Sequence, residues 1–331
     1  RRPPRATLFP CTTLFRSGFG RSAGVQFSRG CTLSCTYCGQ WSFWRKWRHR
    51  SAEDLADQLE LLATQYGVRI VWLADENFAA DREAARQALQ AVADRRLDLS
   101  LNLNMTAADV VRDADLLPLY KRAGVDNIVM GVESTEDVTV KKVRKNNPFA
   151  ISCQATRLLR EHNIVGLVNI IYGLEEESFS SVWRTFRQVL KMDPDVLNAV
   201  YLTPHHWTVD GRNTTPDQIV QPDQHFWTYR NQVLATKRMR PTHLFLAIKL
   251  TEALFHLRPR SLYRMLTAHD HRYRKILRAY LLVGTRVVWA ELVEYFFQAP
   301  QVRPGVLREI PGFPRGQASP IVQLTTAPPL V

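Results

Sequence analysis

Three cysteines within eight residues are the part of this sequence best suited to chemistry. They occur in Cys31-Thr-Leu-Ser-Cys35-Thr-Tyr37-Cys38, with the spacing C-x3-C-x2-C, directly after Gly30. Three thiolates on one short loop can bind three irons of a cubane cluster, which leaves the fourth iron without a protein ligand. Structural zinc is the alternative, but it normally takes four Cys or His ligands. Because the sequence has no second Cys-x-x-Cys, the motif predicts a [4Fe-4S] cluster site.

The elements that would position this loop are repeated βα units. Short apolar or β-branched runs alternate with helical patterns, and the candidate strands are residues 25–27, 69–74, 98–103, 127–132, 164–172 and 197–202. Six such units predict an α/β fold, a partial (β/α)6 TIM-like barrel, followed by a helical C-terminal region. Sites in barrels of this kind gather at the carboxyl ends of the strands, so we expect the motifs to share one rim.

Two helices show the pattern clearly. Ser51 can cap the helix after the cysteine loop, whose apolar face carries Leu55, Leu59 and Leu62 at helical spacing. Cys153 lies on a later helix with no sequence partner nearby, and packing is its expected role.

Composition and charge limit the partners and the cellular location that we expect for this protein. The chain has 44 Lys and Arg against 31 Asp and Glu, a net charge of +13 concentrated near residues 45–50 and 258–278. This favours an anionic partner: nucleic acid, a membrane surface or an acidic small molecule. Five cysteines, three of them clustered, suit a reducing cytoplasm better than a disulfide framework. The apolar stretch 279–297 contains Arg286, Glu291 and Glu294, which predicts a buried or interfacial helix and not a membrane span.

The sequence divides into four segments. Residues 25–203 are the expected barrel and residues 204–298 the helical region. Residues 299–331 carry seven prolines, which predicts a disordered tail. Residues 1–24 are expected to be a linker or non-native segment, because residues 7–17, TLFPCTTLFRS, resemble a translated sequencing adapter. The native protein is therefore expected to continue upstream.

The cysteine spacing, with the aromatic Tyr37 before the last cysteine and its place after the first strand of six βα units, resembles the radical S-adenosylmethionine (SAM) superfamily. The resemblance implies that the open iron binds the amino and carboxylate groups of SAM. One electron from the cluster then gives methionine and a 5′-deoxyadenosyl radical, which abstracts hydrogen from a substrate. The resemblance also implies that the protein binds, orients and excludes water and oxygen.

Other positions carry over from the superfamily one at a time. Glu76, with Asp75 as the alternative, matches the residue that binds the SAM amino group after the second strand, although either could instead cap the next helix. Glu133 after the fourth strand matches the ribose-binding position. Gly173 and Glu177 resemble the turn near the adenine that follows the fifth strand, and here the usual Pro-Gly is replaced by two glutamates.

Longer segments resemble the anaerobic magnesium-protoporphyrin IX monomethyl ester cyclases over about residues 25–298. They are CGQWSFWRKWRHR, WLADENF, MGVES, YLTPHHWT and RNQVLATKRMRP. The resemblance implies an oxidative closure of the isocyclic ring in bacteriochlorophyll synthesis, a magnesium porphyrin substrate, an electron donor such as flavodoxin or ferredoxin, and no nucleic acid partner. It also implies a cytoplasmic location, with association to the photosynthetic membrane as an option.

That family depends on cobalamin bound by an upstream domain. The sequence contains no Asp-x-His-x-x-Gly cobalamin motif. We therefore expect either that the chain is a fragment of a longer protein or that the cobalamin assignment fails.

Two groups of residues are candidates for substrate contact. His205 and His206 follow the sixth strand and could ligate magnesium or act as acid and base, and one of the two is expected to do so. Aromatic rings beside the cluster loop could stack on a porphyrin, with basic neighbours that pair with its carboxylate; these rings are Trp41, Phe43, Trp44 and Trp47, and the cations are Arg45, Lys46 and Arg48.

The same mixture of aromatic and basic residues also suits RNA or a core-facing aromatic stripe of a helix. Two alternatives therefore stay open: a radical SAM enzyme that transfers a methyl or methylthio group to RNA, and a non-catalytic binding protein stabilised by a metal.

Overall fold

The computed structural model describes residues 20–145, 147–298, 302, 303 and 305–307. In chain order the strands are β1 (Arg21–Val25), β2 (Ser28–Arg29), β3 (Arg48–His49), β4 (Val68–Leu73), β5 (Ser100–Met105), β6 (Val125–Glu133), β7 (Val165–Tyr172) and β8 (Val196–Tyr201). The helices are α1 (Gln40–Trp44), α2 (Ala52–Thr64), α3 (Arg82–Asp94), α4 (Ala107–Arg112), α5 (Leu117–Arg122), α6 (Asp137–Lys142), α7 (Phe149–Glu161), α8 (Phe179–Met192), α9 (Val209–Asn213), α10 (Pro241–His256), α11 (Pro259–Thr267) and α12 (His271–Val293).

Six parallel strands form one sheet in the order β1-β4-β5-β6-β7-β8. Because this order never reverses, the connecting helices cover one face, and the sheet curls as part of a barrel does. β1 and β8 are its two edges. The predicted α/β partial barrel of six units, followed by C-terminal helices, is confirmed.

Five predicted strands lie within two residues of the observed ones, and the first was misplaced. Residues 25–27 were expected to form it, but β1 spans Arg21–Val25 and pairs with β4. The run Arg-Ser-Ala-Gly has no strand pattern of its own, so this strand is imposed by its neighbour in the sheet. Residues 21–24 therefore belong to the sheet and not to a linker.

The helix after the cysteine loop forms as predicted. The Ser51 side chain accepts the Asp54 N–H at 3.1 Å and caps α2. Leu55 and Leu59 of this helix are fully buried in the core between helices and sheet. An amphipathic helix with one apolar face can pack only against the sheet, and this packing fixes the helix behind the rim.

Truncating the apolar face of α2 is expected to destabilise the barrel. Leu59→Ala removes a fully buried side chain and should cost about 2–5 kcal/mol of unfolding free energy, because it leaves a cavity. Leu61→Ala on the same helix is the matched control, since Leu61 is 41% exposed, and should change that free energy by about 0.5 kcal/mol or less. Urea denaturation of both variants measures the difference, and equal losses would contradict the assigned burial.

Helix α10 covers the open edge of the sheet at β8. The edge N–H groups find partners there: Leu197 donates to His256 Nε2 at 3.3 Å and Ala199 to Glu252 Oε1 at 3.0 Å. His256 Nδ1 donates in turn to the Glu252 carbonyl at 2.9 Å. Side chains from a helix thus occupy the donors that an exposed edge strand would offer to another chain.

The chain between β8 and α10 differs from the predicted helical region. Residues 202–240 contain short helical turns and one isolated bridge between Ile219 and Leu234, because Pro204, Pro216 and Pro222 interrupt any longer helix. The long helices begin only at Pro241. Helix α10 shares the barrel's core, to which it contributes Leu244, Ile248 and Phe255. Helices α11 and α12 pack in a second, smaller cluster that includes Met265 and Leu277.

Several cations of the predicted basic patch at residues 258–278 form ion pairs within the fold. Arg258 binds Asp193 at 2.9 Å, Arg264 also binds Asp193, and Arg272 binds Asp98 and Asp126. These pairs join the C-terminal helices to the end of the barrel at which the strands begin.

The predicted segments at the two ends lie mostly outside the described residues. The adapter-like residues 7–17 lie there entirely. Of the tail predicted to be disordered, the few described residues contact the body. The Arg303 N–H donates to the Val220 carbonyl, the Leu307 N–H donates to the Thr236 carbonyl, both at 2.9 Å, and Val306 is buried.

Candidate active site

The cysteine loop lies at the carboxyl end of β1, where neighbouring loops hold it. The Thr36 N–H donates to the Val143 carbonyl at 3.1 Å, the Asp210 N–H donates to the Thr36 carbonyl at 3.0 Å, and the Trp41 indole donates to the Cys35 carbonyl at 3.2 Å. Gly30 has φ +98°, and a Cβ there would lie 2.7 Å from the Lys46 carbonyl. Only glycine fits this turn, so the backbone of the loop is set before any ligand binds.

The three cysteines are free, and their surroundings disfavour bare thiolates. Burial raises the pKa of Cys31 and Cys35, and it raises the pKa of Cys38 to about 11, with a further contribution from the other two thiols. Positive charge at the loop would lower these thiol pKa values and favour the thiolates. The donor set fits a cubane cluster, in which each thiolate binds a different iron.

A single metal ion fits less well. Among the residues that the structure describes, no three His, Cys, Asp or Glu side chains converge as ligands of one ion, which zinc would need at about 2.3 Å from each sulfur.

Glu133 and Lys145 form a buried ion pair beside the loop. Lys145 Nζ donates to Glu133 Oε1 at 3.0 Å, with side chains 12% and 10% exposed. Glu133 ends β6 with φ +67°. A Cβ on Gly131 would lie 2.2 Å from Glu133 Oε1, so glycine is required for the carboxylate to fold back here. Burial and the adjacent Glu133 raise the pKa of Tyr37, which is therefore a neutral hydrogen-bond donor.

Asp75 and Glu76, the two alternatives after β4, have different surroundings. The Asp75 carboxylate is 1% exposed and accepts the Phe27 N–H at 3.1 Å together with the N–H and hydroxyl of Ser28. These hydrogen bonds hold the segment after β1 against the end of β4, so the Asp75 oxygens already have partners. Glu76 is half-buried, and its charge raises the pKa of Cys31 and Cys38. Glu76 is thus the carboxylate that faces the cysteines.

Gly173 and Glu177 follow β7 on the same rim. Gly173 has φ +79°, which lets the chain leave the strand. The Glu177 carboxylate is buried and accepts the Ser181 hydroxyl at the start of α8. The structure therefore places Glu177 in a helix-capping network and not in the wall of the cavity described below.

His205 and His206 lie at the cluster loop but outside the cavity wall. The His205 ring stacks on Trp207 at 4.5 Å between centroids, and burial lowers its pKa. Trp207 packs on Gly39 so closely that a Cβ there would lie 2.4 Å from its ring. His206 is exposed. The stacked His205 and Trp207 rings support the chain next to Cys38, and His206 meets Trp207 edge-on at 5.3 Å between centroids.

The aromatic residues beside the loop, predicted to stack on a substrate, lie outside the cavity described below. Trp47 is packed against the core, and Phe43 is 73% exposed. Arg29 and Arg48 lie over the Trp44 ring, each 5.4 Å from its centroid. None of the four rings lines the cavity, because the short helix α1 turns them towards the loop and the outer surface.

A cavity of about 940 Å³ lies against the inner side of the curled sheet, at β7 and β8. Tyr37, Cys38 and Glu133 line one end, next to the cysteine loop. The middle is largely apolar and lies between β7, β8 and α12. Lys249 of α10 also lines the cavity and binds Glu252 at 2.6 Å and Glu291 at 2.7 Å. The cavity therefore joins the cysteine loop to a mainly apolar chamber whose wall includes this buried charged cluster.

Several of these residues were not found by sequence reasoning. Lys145 follows Lys141, Lys142 and Arg144, a run that indicates a solvated basic face, and nothing local marks it as the buried member. Tyr229 lines the cavity from an irregular segment in which no period identifies an inward side. Lys249 and Glu252 lie three residues apart on a mostly apolar helix, and this spacing is the sequence signal that indicates a buried pair.

Residues 25–189 match the Radical SAM superfamily. They include β4 to β7 and most of α8, and they contain the cysteine loop, Glu76, Glu133 and Lys145. The chain belongs to the radical SAM superfamily.

Its relatives include three proteins named anaerobic magnesium-protoporphyrin IX monomethyl ester cyclase. The Synechocystis protein is 37% identical over 88% of this chain and 58% of its own length. The Rubrivivax gelatinosus protein is 31% identical over 56% and 33%, and the Cereibacter sphaeroides protein 27% identical over 86% and 47%. The chain thus spans between about a third and three fifths of these relatives.

Solved structures share the fold. The cobalamin-dependent SAM radical enzyme OxsB superposes with a TM-score of 0.56 at 16% identity, over 85% of this chain and 48% of its own. The methyltransferase TsrM from Kitasatospora setae, solved with cobalamin and a [4Fe-4S] cluster, superposes with a TM-score of 0.52 at 20% identity over 60% and 39%. At these identities the likeness concerns the fold alone.

Proposed function

We propose that this chain is the catalytic part of a radical SAM oxidative cyclase that acts on magnesium-protoporphyrin IX monomethyl ester. A [4Fe-4S] cluster held by Cys31, Cys35 and Cys38, with one electron from an external donor, supplies reductive cleavage of SAM. The single observation that carries the substrate assignment is the cavity of about 940 Å³, which runs from the cysteine loop through a largely apolar chamber. Its volume is at the upper end for small-molecule sites.

The chain's own residues bind and orient. Lys145 provides positive charge near the cysteines for the SAM carboxylate, and Glu76 and Glu133 provide acceptors for its amino and ribose groups. Tyr37 and Tyr229 bound the cavity end at which substrate meets SAM. The apolar walls of β7, β8 and α12 exclude water from the reacting groups.

Cobalamin is part of the family's chemistry, but no step here is assigned to it. The sequence lacks the Asp-x-His-x-x-Gly motif. That His205 or His206 acts as a ligand or as an acid-base group remains a proposal. The stacking of His205 on Trp207 supports a positioning role for His205.

Filling the cavity tests the substrate assignment. Gly284 of α12 lines the cavity, and a Cβ there meets no atom within 4 Å, so Gly284→Trp projects a large ring into the chamber without a backbone clash. We expect magnesium-protoporphyrin IX monomethyl ester to bind the anaerobically reconstituted chain and to bind Gly284→Trp at least about tenfold more weakly, as measured by the change in porphyrin absorbance.

Gly284→Ala is the control and should bind porphyrin like the parent protein. Uncoupled SAM cleavage, measured as 5′-deoxyadenosine, should persist in both variants because the cysteine loop is untouched. Tight binding of porphyrin to Gly284→Trp, or preferential binding of RNA by the parent protein, would contradict the assignment.

Removing the charge of Asp75 is expected to reduce stability, whereas removing that of Glu76 is expected to weaken SAM binding. Asp75→Asn leaves at least one buried N–H without an acceptor and should lower the free energy of unfolding by about 1–3 kcal/mol. Glu76→Gln should leave stability nearly unchanged and weaken SAM binding by about tenfold or more. Thermal denaturation and equilibrium SAM binding of both variants separate the two roles; the reverse pattern would make Asp75 the SAM ligand.

A further inference from the structure

Exposed apolar side chains are concentrated on the three C-terminal helices. On α10, Leu246, Leu250 and Leu254 are 45%, 58% and 45% exposed. Their spacing of four residues puts them on one face of the helix. On α11, Leu266 is 69% exposed. A monomeric soluble surface seldom leaves so many large apolar side chains together in water.

Helix α12 has an outer face of mixed apolar and cationic character. Leu282 and Trp289 are 65% and 69% exposed, and Arg278 and Arg286 lie on the same face at spacings of three and four residues. The face continues to Phe297, which is 83% exposed. Within the described part of the chain, no helix is both long and apolar enough to cross a membrane.

These two helices lie side by side and flank the cavity. Lys249 on α10 binds Glu291 on α12 at 2.7 Å, and Phe245 stacks on Tyr295 at 4.1 Å between centroids. Leu257 and Val283 line the cavity and are 56% and 51% exposed. The mouth of the cavity therefore opens between the two apolar faces.

The exposed charged side chains that these helices themselves contribute are all cationic. Over residues 240–297 the acidic side chains are buried or half-buried, and Glu252 and Glu291 are paired with Lys249. Arg260, Arg278 and Arg286 are exposed. A surface with apolar, aromatic and cationic residues but no exposed carboxylate complements anionic lipid headgroups above an acyl layer.

We propose that the C-terminal apolar surface, formed by Leu250, Leu254, Leu266, Leu282, Trp289 and Phe297, docks on an anionic lipid bilayer. The helices lie flat in the interface, the leucines and aromatic rings enter the acyl boundary, and the arginines contact headgroups. This docking turns the mouth of the cavity towards the lipid, so an amphiphilic ligand can enter without crossing water. The inference rests on the exposed surface and stands without the proposed reaction.

Flotation with vesicles tests this docking. The full chain, reconstituted anaerobically, is mixed with vesicles of phosphatidylcholine and phosphatidylglycerol in equal parts. We expect it to float with them, and to float less with phosphatidylcholine alone or at high salt, because screening weakens the contribution of the arginines. The triple variant Leu250→Ser, Trp289→Ser, Phe297→Ser should bind at least about tenfold more weakly.

A matched triple variant places the same change elsewhere. Leu61, Val138 and Trp183 are 41%, 81% and 48% exposed on α2, α6 and α8, and their replacement by serine should leave flotation unchanged. The proposal is overturned if the parent protein does not float with anionic vesicles, or if both triple variants behave alike. It is also overturned if light scattering shows a dimer that the first variant dissociates, because the surface would then bind a second copy of the chain.

Discussion

Cys35→Ala is expected to abolish reductive SAM cleavage by the reconstituted protein. Cys35 is the most buried of the three loop cysteines at 5% exposure, and its carbonyl anchors Trp41. Loss of one of three thiolates leaves an iron of the cluster without its protein ligand, so iron and sulfide content should fall and 5′-deoxyadenosine should not form. In the parent protein, the electron paramagnetic resonance signal of the reduced cluster should change when SAM is added.

Cys153→Ala is the matched control. Cys153 is a free, half-buried thiol on α7, away from the loop, so this variant should keep the cluster and SAM cleavage. Circular dichroism of Cys35→Ala should show a folded protein, because the sheet and helices carry the core. Unfolding of Cys35→Ala would instead indicate a structural metal, and an unchanged spectrum on adding SAM to the parent protein would count against a radical SAM mechanism.

Lys145→Met is expected to have the second largest effect. It removes the cation that binds Glu133 Oε1 at 3.0 Å and leaves the carboxylate buried and unpaired, which should cost about 3–5 kcal/mol of unfolding free energy. SAM affinity should fall by about a hundredfold, because the charge that pairs with its carboxylate is lost. Chemical denaturation and equilibrium binding of SAM measure the two effects separately.

A double variant separates stability from cofactor binding. Glu133→Gln with Lys145→Met removes both charges, so much of the lost stability should return, whereas SAM affinity should stay low. Lys141→Met, at an exposed position in the same basic run, should change neither quantity. If the double variant regains SAM affinity, then Lys145 acts only by neutralising Glu133 and does not contact SAM.

The cysteine spacing and the period of the βα units were sufficient to predict the superfamily and the six-stranded sheet. Cys31, Cys35 and Cys38 are adjacent in sequence, so a local pattern contains the whole donor set. The helical period of Leu55, Leu59 and Leu62 likewise identified a buried face. Both signals are local, and the fold preserves them because parallel strands place their carboxyl ends on one rim.

The remaining parts of the site depend on contacts between residues far apart in the chain. Asp75 and Glu76 are neighbours in sequence, and no local pattern separates their roles. The Asp75 carboxylate accepts hydrogen bonds from Phe27 and Ser28, whereas Glu76 is left facing the cysteines. Lys145 differs from Lys141 only in being turned inward against Glu133. The aromatic residues after Cys38 had the right composition for stacking, but α1 directs them away from the cavity.

The sequence by itself determined the superfamily motif of the cysteine loop and the α/β class, because these follow from residue type and spacing within short segments. The tertiary structure decided which charges are buried, where the cavity runs and which apolar faces remain exposed. These properties follow from the packing of α10 against β8 and of α12 against β7, and no local period reports how such distant segments meet.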